Sequence, residues 1–258
     1  MLNPPALPRI SLVIPAHNEE RYLTRLLDSV DVARARYTHG TDHIEVVVVD
    51  DASTDATARI AEAHRCVVVR VEERRIAAAR NAGARAAGGE ILSFIDADSR
   101  IHPETFNAIA AELASEAIIG GTTGTRFERS SLGIRCSYGL LLLMGTLLRL
   151  IMRERPSRQV DAGVVFCRRE DFDAIGGYNE ERSFAEDVQF LMDLSRRGRR
   201  KGQRLSRGTG TPAMFSTRKF DKYGDWHFFR APLWLPWRSL FHPSARNEFT
   251  DRYWYGDR

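Results

Sequence analysis

Ile44-Glu45-Val46-Val47-Val48-Val49, followed by Asp50-Asp51, is the stretch that decides the fold. The run is almost continuously β-branched and offers no polar face. Such a run reads as a strand buried on both sides. Upstream, Ile10 to Ile14 is a short apolar strand ending at Pro15. Glu19 to Val32 then places Tyr22, Leu23, Leu26, Leu27 and Val30 at helical spacing. Downstream, Asp55 to His64 reads as a helix with Asp55 as N-cap, and Val67 to Val71 as a third strand. Ile76 to Ala87 is an Ala-rich helix stopped by Gly88-Gly89, and Ile91 to Ile95 is a fourth strand. This alternation predicts an α/β fold with a mostly parallel central sheet and helices on both faces.

The second half is less regular. His102-Pro103-Glu104 opens a helix, and Ile118 to Phe127 and Val160 to Arg168 read as strands. Phe184 to Arg197 reads as a helix. Gly139 to Met152 is very apolar but short of the roughly 20 residues that a membrane span needs. A buried core helix and an interfacial helix both fit it. No internal repeat or low-complexity segment is visible.

With 258 residues, 43% hydrophobic and 28% charged, the composition is that of a globular protein, and no linker divides it. Cys66, Cys136 and Cys167 are far apart and odd in number. That argues against a disulfide framework and for a reducing compartment. Met1 to Pro5 shows neither the basic region nor the apolar core of a signal peptide. The net charge of +4 is local: Arg196, Arg197, Arg199, Arg200, Lys201, Arg204 and Arg207 crowd together. The run reads as a solvated helix end or as contact with an anionic membrane surface. Aromatics are not interleaved with it, so nucleic acid is not expected as a partner.

Ligands of parallel α/β sheets bind at the carboxyl ends of the strands. There the sequence places Pro15-Ala16-His17-Asn18-Glu19, then Asp50, Asp51, Ser53 and Asp55, then Asp96-Ala97-Asp98. No obvious basic partner accompanies these acids within the same motifs. Clustered carboxylates repel one another, and a divalent metal carrying a diphosphate is one compensation. Asp96 and Asp98 are hard oxygen ligands of the kind Mg²⁺ or Mn²⁺ accepts, although each acidic cluster also fits a simple turn or cap. No Gly-rich phosphate loop follows the first strand, which disfavours a dinucleotide oxidoreductase or a P-loop enzyme. Glu186-Asp187 at a helix start fits capping by the macrodipole, or a general base.

Taken in order, Ile10 to Glu19, Val47 to Asp55, Ala79-Arg80-Asn81-Ala82-Gly83, Asp96-Ala97-Asp98, Phe172 to Tyr178 and Ala185-Glu186-Asp187 resemble the motifs of family-two glycosyltransferases. The resemblance covers roughly residues 10 to 200. It implies the GT-A fold, a Rossmann-like sheet with a small C-terminal helical and aromatic extension. It implies one domain over 1–258: a nucleotide-sugar half at about 9–100, an acceptor half at 101–217 and the extension at 218–258.

The resemblance also implies roles. Pro15 and Ala16, with Glu19, contact the nucleoside, and Asp51 bonds the base. Arg80 lies near the donor phosphates or supports the acidic loop. Asp98 ligates the metal, Asp96 binds the sugar or ribose and is a second candidate ligand, and Ala97 lies between them. Asp187 is the catalytic base, with Glu186 positioning the acceptor. His227 is a candidate third ligand or a packed histidine of the aromatic tail, and His17 is equally ambiguous. The implied reaction is inverting transfer from a nucleoside diphosphate sugar, UDP ahead of GDP, using Mn²⁺ or Mg²⁺. The acceptor is a saccharide or a lipid-linked molecule of cell-envelope polysaccharide or glycolipid synthesis. The implied location is cytoplasmic, with a peripheral seat at the inner membrane face left open. A nucleotidyltransferase making nucleotide sugars, or a silent nucleotide-sugar-binding protein, are the alternatives. The Gln-x-x-Arg-Trp motif of processive synthases is absent from the sequence given.

Overall fold

Val46 to Val49 lie inside the molecule, each 5% exposed or less. The computed structural model describes residues 9–151, 163–181, 186–206 and 208–226. The first half runs β1 (Ile10–Ala16), α1 (Leu23–Ala35), β2 (Ile44–Asp51), α2 (Thr57–Ala63), β3 (Val67–Val71), α3 (Ile76–Ala86), β4 (Ile91–Phe94) and α4 (Thr105–Leu113). The second half runs β5 (Ile118–Thr122), β6 (Thr125–Phe127), α5 (Leu132–Ile151), β7 (Val165–Arg168), α6 (Arg169–Ile175), α7 (Glu186–Arg200), β8 (Arg204–Leu205), β9 (Ala213–Phe215) and α8 (Arg218–Tyr223).

Among the described residues, seven strands form one sheet in the order β3-β2-β1-β4-β7-β5-β8. β3, β2, β1 and β4 are parallel, and β7 runs antiparallel to both β4 and β5. The chain therefore moves outward from β1 to β3 and then returns to the other side of β1 as β4. This is the switch point at which such sheets bind ligands.

Strand periodicity divides the core between two faces. Ile10, Leu12, Ile14, Val46 and Val48 pack with Leu23, Leu26, Leu27 and Val30 of α1 and with Phe106 and Ile109 of α4. Val13, Val47 and Val49 point the other way, onto Ala77, Ala79 and Ala84 of α3. The α3 side chains are small because the helix lies close. A Cβ on Gly83 would come within 2.7 Å of Val49 Cγ2. Arg169 closes the C-terminal end of α3 by donating to the carbonyls of Ala84, Ala87 and Gly89 at 2.7–2.9 Å. Asp171, wholly buried on α6, accepts from Arg197 Nε at 2.7 Å and Lys201 Nζ at 3.0 Å and so ties α6 to α7. Part of the basic run is thus engaged internally, while Arg199, Arg200 and Arg204 remain exposed.

Several elements differ from the sequence expectations. β1 does not stop at Pro15 but continues to Ala16. Pairing with β4 ends at Val13–Phe94, so the missing N–H of Pro15 falls beyond the last partner on that side. The single strand expected over 118–127 is two strands, broken where Gly124 takes a φ of 84°. Asp55 is not the N-cap of α2; Ala56 is, although Asp55 Oδ1 accepts from Thr57 N at 2.9 Å. The apolar helix expected from Gly139 begins seven residues earlier, at Leu132.

The described residues fall into two compact units, 9–126 with 163–215, and 127–151 with 216–226. In the second, Arg129 bridges Asp221 at 2.8 Å and Asp225 at 2.6 Å. Phe127 there meets Tyr138 and Phe220 edge-on, with centroids 5.2 and 5.9 Å apart. The expected C-terminal extension is described only as far as Trp226, so His227, Trp234, Trp237 and Trp254 lie outside the described residues. Among the described residues, no helix is long and apolar enough to cross a membrane.

Candidate active site

The loops after β1 and β2 are sewn together by their own polar residues. Asn18, held at a φ of 50°, accepts from Thr54 N at 2.8 Å and donates from its backbone to Ser53 Oγ at 3.0 Å. Glu19 N donates to Thr57 Oγ1 at 2.8 Å, and its side chain is buried. Glu20 and Asp55 bond each other's loops, at 3.1 Å each. His17 Nδ1 lies 2.6 Å from Asp51 O, so this histidine braces the junction. Asp51 Oδ1 accepts from the N–H groups of both Glu73 and Arg74 at 2.9 Å, which fixes the turn into α3. Pro15, Ala16 and Asp51 are buried at the adjoining ends of β1 and β2.

Arg80 stands at the centre of the site. It lies on α3, and its side chain is 3% exposed. Nη2 donates to Asp96 Oδ1 at 2.8 Å, while Nη1 donates to Glu186 Oε1 at 3.0 Å and Asp187 Oδ1 at 2.7 Å. Asp96, which has no basic partner within its own motif, therefore has one from a different motif. Burial opposes the Arg80 charge, but Asp187, Asp96 and Glu186 hold it well above its usual pKa.

Asp187 is the group that this arrangement tunes. Burial pushes its pKa up to about 7, Arg80 works against that rise, and Glu186 and Asp96 add to it. A carboxyl poised near neutrality suits a general base. Beside it lies a cavity of about 120 Å³ lined by Arg80, Phe94, Ile95, Asp96, Gly163, Val165, Asp187 and Phe215. That volume admits the reacting end of a ligand and no more, since whole ligand sites run to about 300–1,000 Å³. The rest of a long ligand would have to lie over the open strand ends.

The metal test turns on Asp96 and Asp98, two carboxylates on either side of buried Ala97. Asp96 is 37% exposed even while it holds Arg80. Among the described residues, no group of three or more His, Cys, Asp or Glu side chains could hold a metal ion. Mg²⁺ and Mn²⁺ accept one or two carboxylates and complete their shell with water and phosphate. The residues present therefore fit a metal that arrives with a diphosphate.

The sequence of residues 11–175 matches the family model described as glycosyl transferase family 2. The chain belongs to that family. TarS of Staphylococcus aureus, a poly(ribitol-phosphate) β-N-acetylglucosaminyltransferase, is 35% identical over 109 residues, 40% of this chain and 18% of that protein. Its structure with UDP-GlcNAc superposes with a TM-score of 0.58 at 22% identity, over 81% of this chain and 58% of that one. The succinoglycan biosynthesis protein ExoO of Rhizobium meliloti is 30% identical over 205 residues, 74% of this chain and 54% of that protein. The mannosyltransferase PcManGT of Pyrobaculum calidifontis, solved with GDP-Man and Mn²⁺, superposes with a TM-score of 0.58 at 24% identity, over 80% of this chain and 56% of that one. The chain matches 16–28% of the length of the first curated relatives. The fold of this family-two chain is thus the GT-A fold.

Two contributors to the site were not read from the sequence as such. Asn81 donates to Tyr178 O at 2.8 Å and to Glu180 Oε1 at 2.8 Å. Tyr178 places its ring 5.1 Å from the Arg80 guanidinium. Both residues lie in quoted motifs, but nothing in either motif says that they meet.

Proposed function

We propose that the chain transfers a sugar from a nucleoside diphosphate sugar to an acceptor hydroxyl by an inverting displacement. One observation carries the reading: a single buried guanidinium gathers Asp96, a candidate donor residue, and Asp187, a candidate base, into one site. Pro15, Ala16, Glu19 and Asp51 receive the nucleoside. Asp96 and Ala97 adjoin the sugar, and Asp98, with Asp96, holds Mn²⁺ or Mg²⁺. When bound, the metal stabilises charge on the departing diphosphate. Asp187 takes the proton of the acceptor hydroxyl, Glu186 orients that acceptor, and the acceptor oxygen attacks the anomeric carbon from the face opposite the diphosphate. The C–O bond to the diphosphate breaks as the new glycosidic bond forms, so the configuration inverts. UDP-GlcNAc in one structural neighbour and GDP-Man with Mn²⁺ in another support this donor class and metal.

The acceptor belongs to the same proposal: a saccharide or lipid-linked hydroxyl, met at the inner face of an anionic membrane. The exposed Leu132, Arg135, Cys136, Gly139 and Leu143 support that seat, because they follow one line along α5. Transfer assays with Asp98→Ala and Asp187→Asn test the chemistry. Each variant is expected to lose about 10²–10⁴-fold in kcat, the range of general base catalysis for the second. Unchanged turnover in both would overturn the proposal.

A further inference from the structure

Gly176-Gly177-Tyr178 follows α6 and takes no part in the proposed chemistry, yet its tyrosine packs against both Arg80 and the helix that carries Asp187. Gly176 and Gly177 take φ of 82° and 71°, the left-handed region that favours glycine. A Cβ on Gly177 would meet Asn81 Oδ1 at 2.7 Å. Asn81 then locks the next backbone unit, donating to Tyr178 O at 2.8 Å and accepting from Tyr178 N at 2.9 Å. Arg80 and Asn81 are neighbours on α3, so one turn of helix sets both the guanidinium and the tyrosine backbone. The Tyr178 ring stacks on Phe190 of α7 at 4.4 Å, meets Phe94 edge-on at 5.1 Å and carries the Arg80 guanidinium 5.1 Å from its centroid.

Packing accounts for the ring but not for the hydroxyl. The hydroxyl is buried and forms no hydrogen bond of normal geometry. A phenylalanine would fill the same stack without burying a hydroxyl, and a buried hydroxyl is costly unless it is given a partner. After burial itself, the Asp187 carboxylate is what most raises the phenol pKa. The hydroxyl in turn acts to lower the pKa of Asp187. The charged or titratable groups facing Asp187 are Arg80 from α3, Asp96 beyond β4, Glu186 on α7 and Tyr178 itself.

We propose that Tyr178 is a positioning residue: its ring carries Arg80, and its hydroxyl closes onto Asp187 to orient that carboxylate as the acceptor approaches. The inference rests on the reading of Asp187 as the base. It goes beyond that reading by giving the aromatic turn a task in catalysis.

Tyr178→Phe keeps the stack and removes a buried hydroxyl, so it should fold with a Tm no lower than that of the wild type and bind UDP-sugar with an unchanged KM. Its kcat should fall about 10- to 100-fold, as expected for a lost hydrogen bond to a charged group. Independently of turnover, ¹³C-carboxyl NMR on metal-free protein, with Asp187→Asn for assignment, should show the Asp187 midpoint moving upward in Tyr178→Phe. Replacing Tyr178 by 3-fluorotyrosine retains the hydroxyl and should restore both kcat and midpoint. Tyr178→Phe with wild-type kcat and an unmoved midpoint overturns the proposal. So does a fall in kcat that tracks lost stability while the midpoint stays put. If the wild type transfers no sugar to any acceptor, the base reading fails, and the metal-free midpoint still decides whether hydroxyl and carboxylate meet.

Discussion

Arg80 answers three carboxylates with one positive charge, and that imbalance sets the behaviour of Asp187. Full ionisation would leave two uncompensated negative charges around one guanidinium, so Asp187, whose pKa is raised by burial and by both neighbouring acids, keeps its proton longer. The expected consequence is an acidic limb in the pH profile of kcat/KM, with its midpoint near the value of about 7. Below it the base is protonated and activity falls about tenfold per pH unit; above it activity levels off. Glu186→Gln removes a neighbouring like charge, so the limb should move to lower pH by about 1 unit, whatever happens to its height. A pH-rate series on the two proteins checks this, and a limb that moves upward would contradict the electrostatics. The acids themselves were legible in the sequence as motifs. Arg80 was named with them through the resemblance, but its sharing by all three acids was not legible, because it stands 16 positions from Asp96 and 107 from Asp187, and spacing cannot say which arginine is walled in.

Elements were legible where one physical rule dominates. The valines of β2 announce a strand buried on both faces, and the alanines of α3 announce a helix lying close to it. Legibility fails where length is short or the rule is local. β8 and β9, with two and three residues, are too brief to show alternation. The break between β5 and β6 depends on one glycine's backbone angle. α5 shows both sides of this: its apolar centre was visible, but not its start at Leu132 or its exposed line. Leu132 and Leu143 are 71% and 56% exposed, which is unusual for leucines on a helix that a core should absorb. If this line meets lipid, the protein should float with anionic vesicles at low salt and be released as salt screens Arg135. Leu132→Asp with Leu143→Asp should cut partitioning roughly tenfold or more, since burying one leucine is worth about 1.5–3 kcal/mol. Absence of flotation by the wild type at low salt would remove the membrane from the proposal.

At the scale of the whole molecule, the order β3-β2-β1-β4 makes the site before any side chain is considered. The reversal beside β1 opens the carboxyl ends of β1, β2 and β4 to one crevice, and the sequence puts a polar cluster at each. A ligand spanning those ends binds only the folded chain, so its affinity must appear as stability. At a free ligand concentration about 100 times Kd, the gain is roughly 2.7 kcal/mol. For a domain of about 150–250 residues each kcal/mol moves Tm by about 2–4 °C, which gives a shift of roughly 5–10 °C. We expect that shift for a UDP-sugar with Mn²⁺, a smaller one for the nucleoside alone, and loss of most of it with EDTA or in Asp98→Ala. The EDTA arm decides the metal's place. Among the described residues no third ligand joins the two carboxylates, so a cation held by them needs the diphosphate to complete its shell, and cation and nucleotide should each raise the other's affinity. A shift indifferent to EDTA would mean that the diphosphate is held by protein groups alone, and Asp98 would then be a residue of the turn and not a ligand.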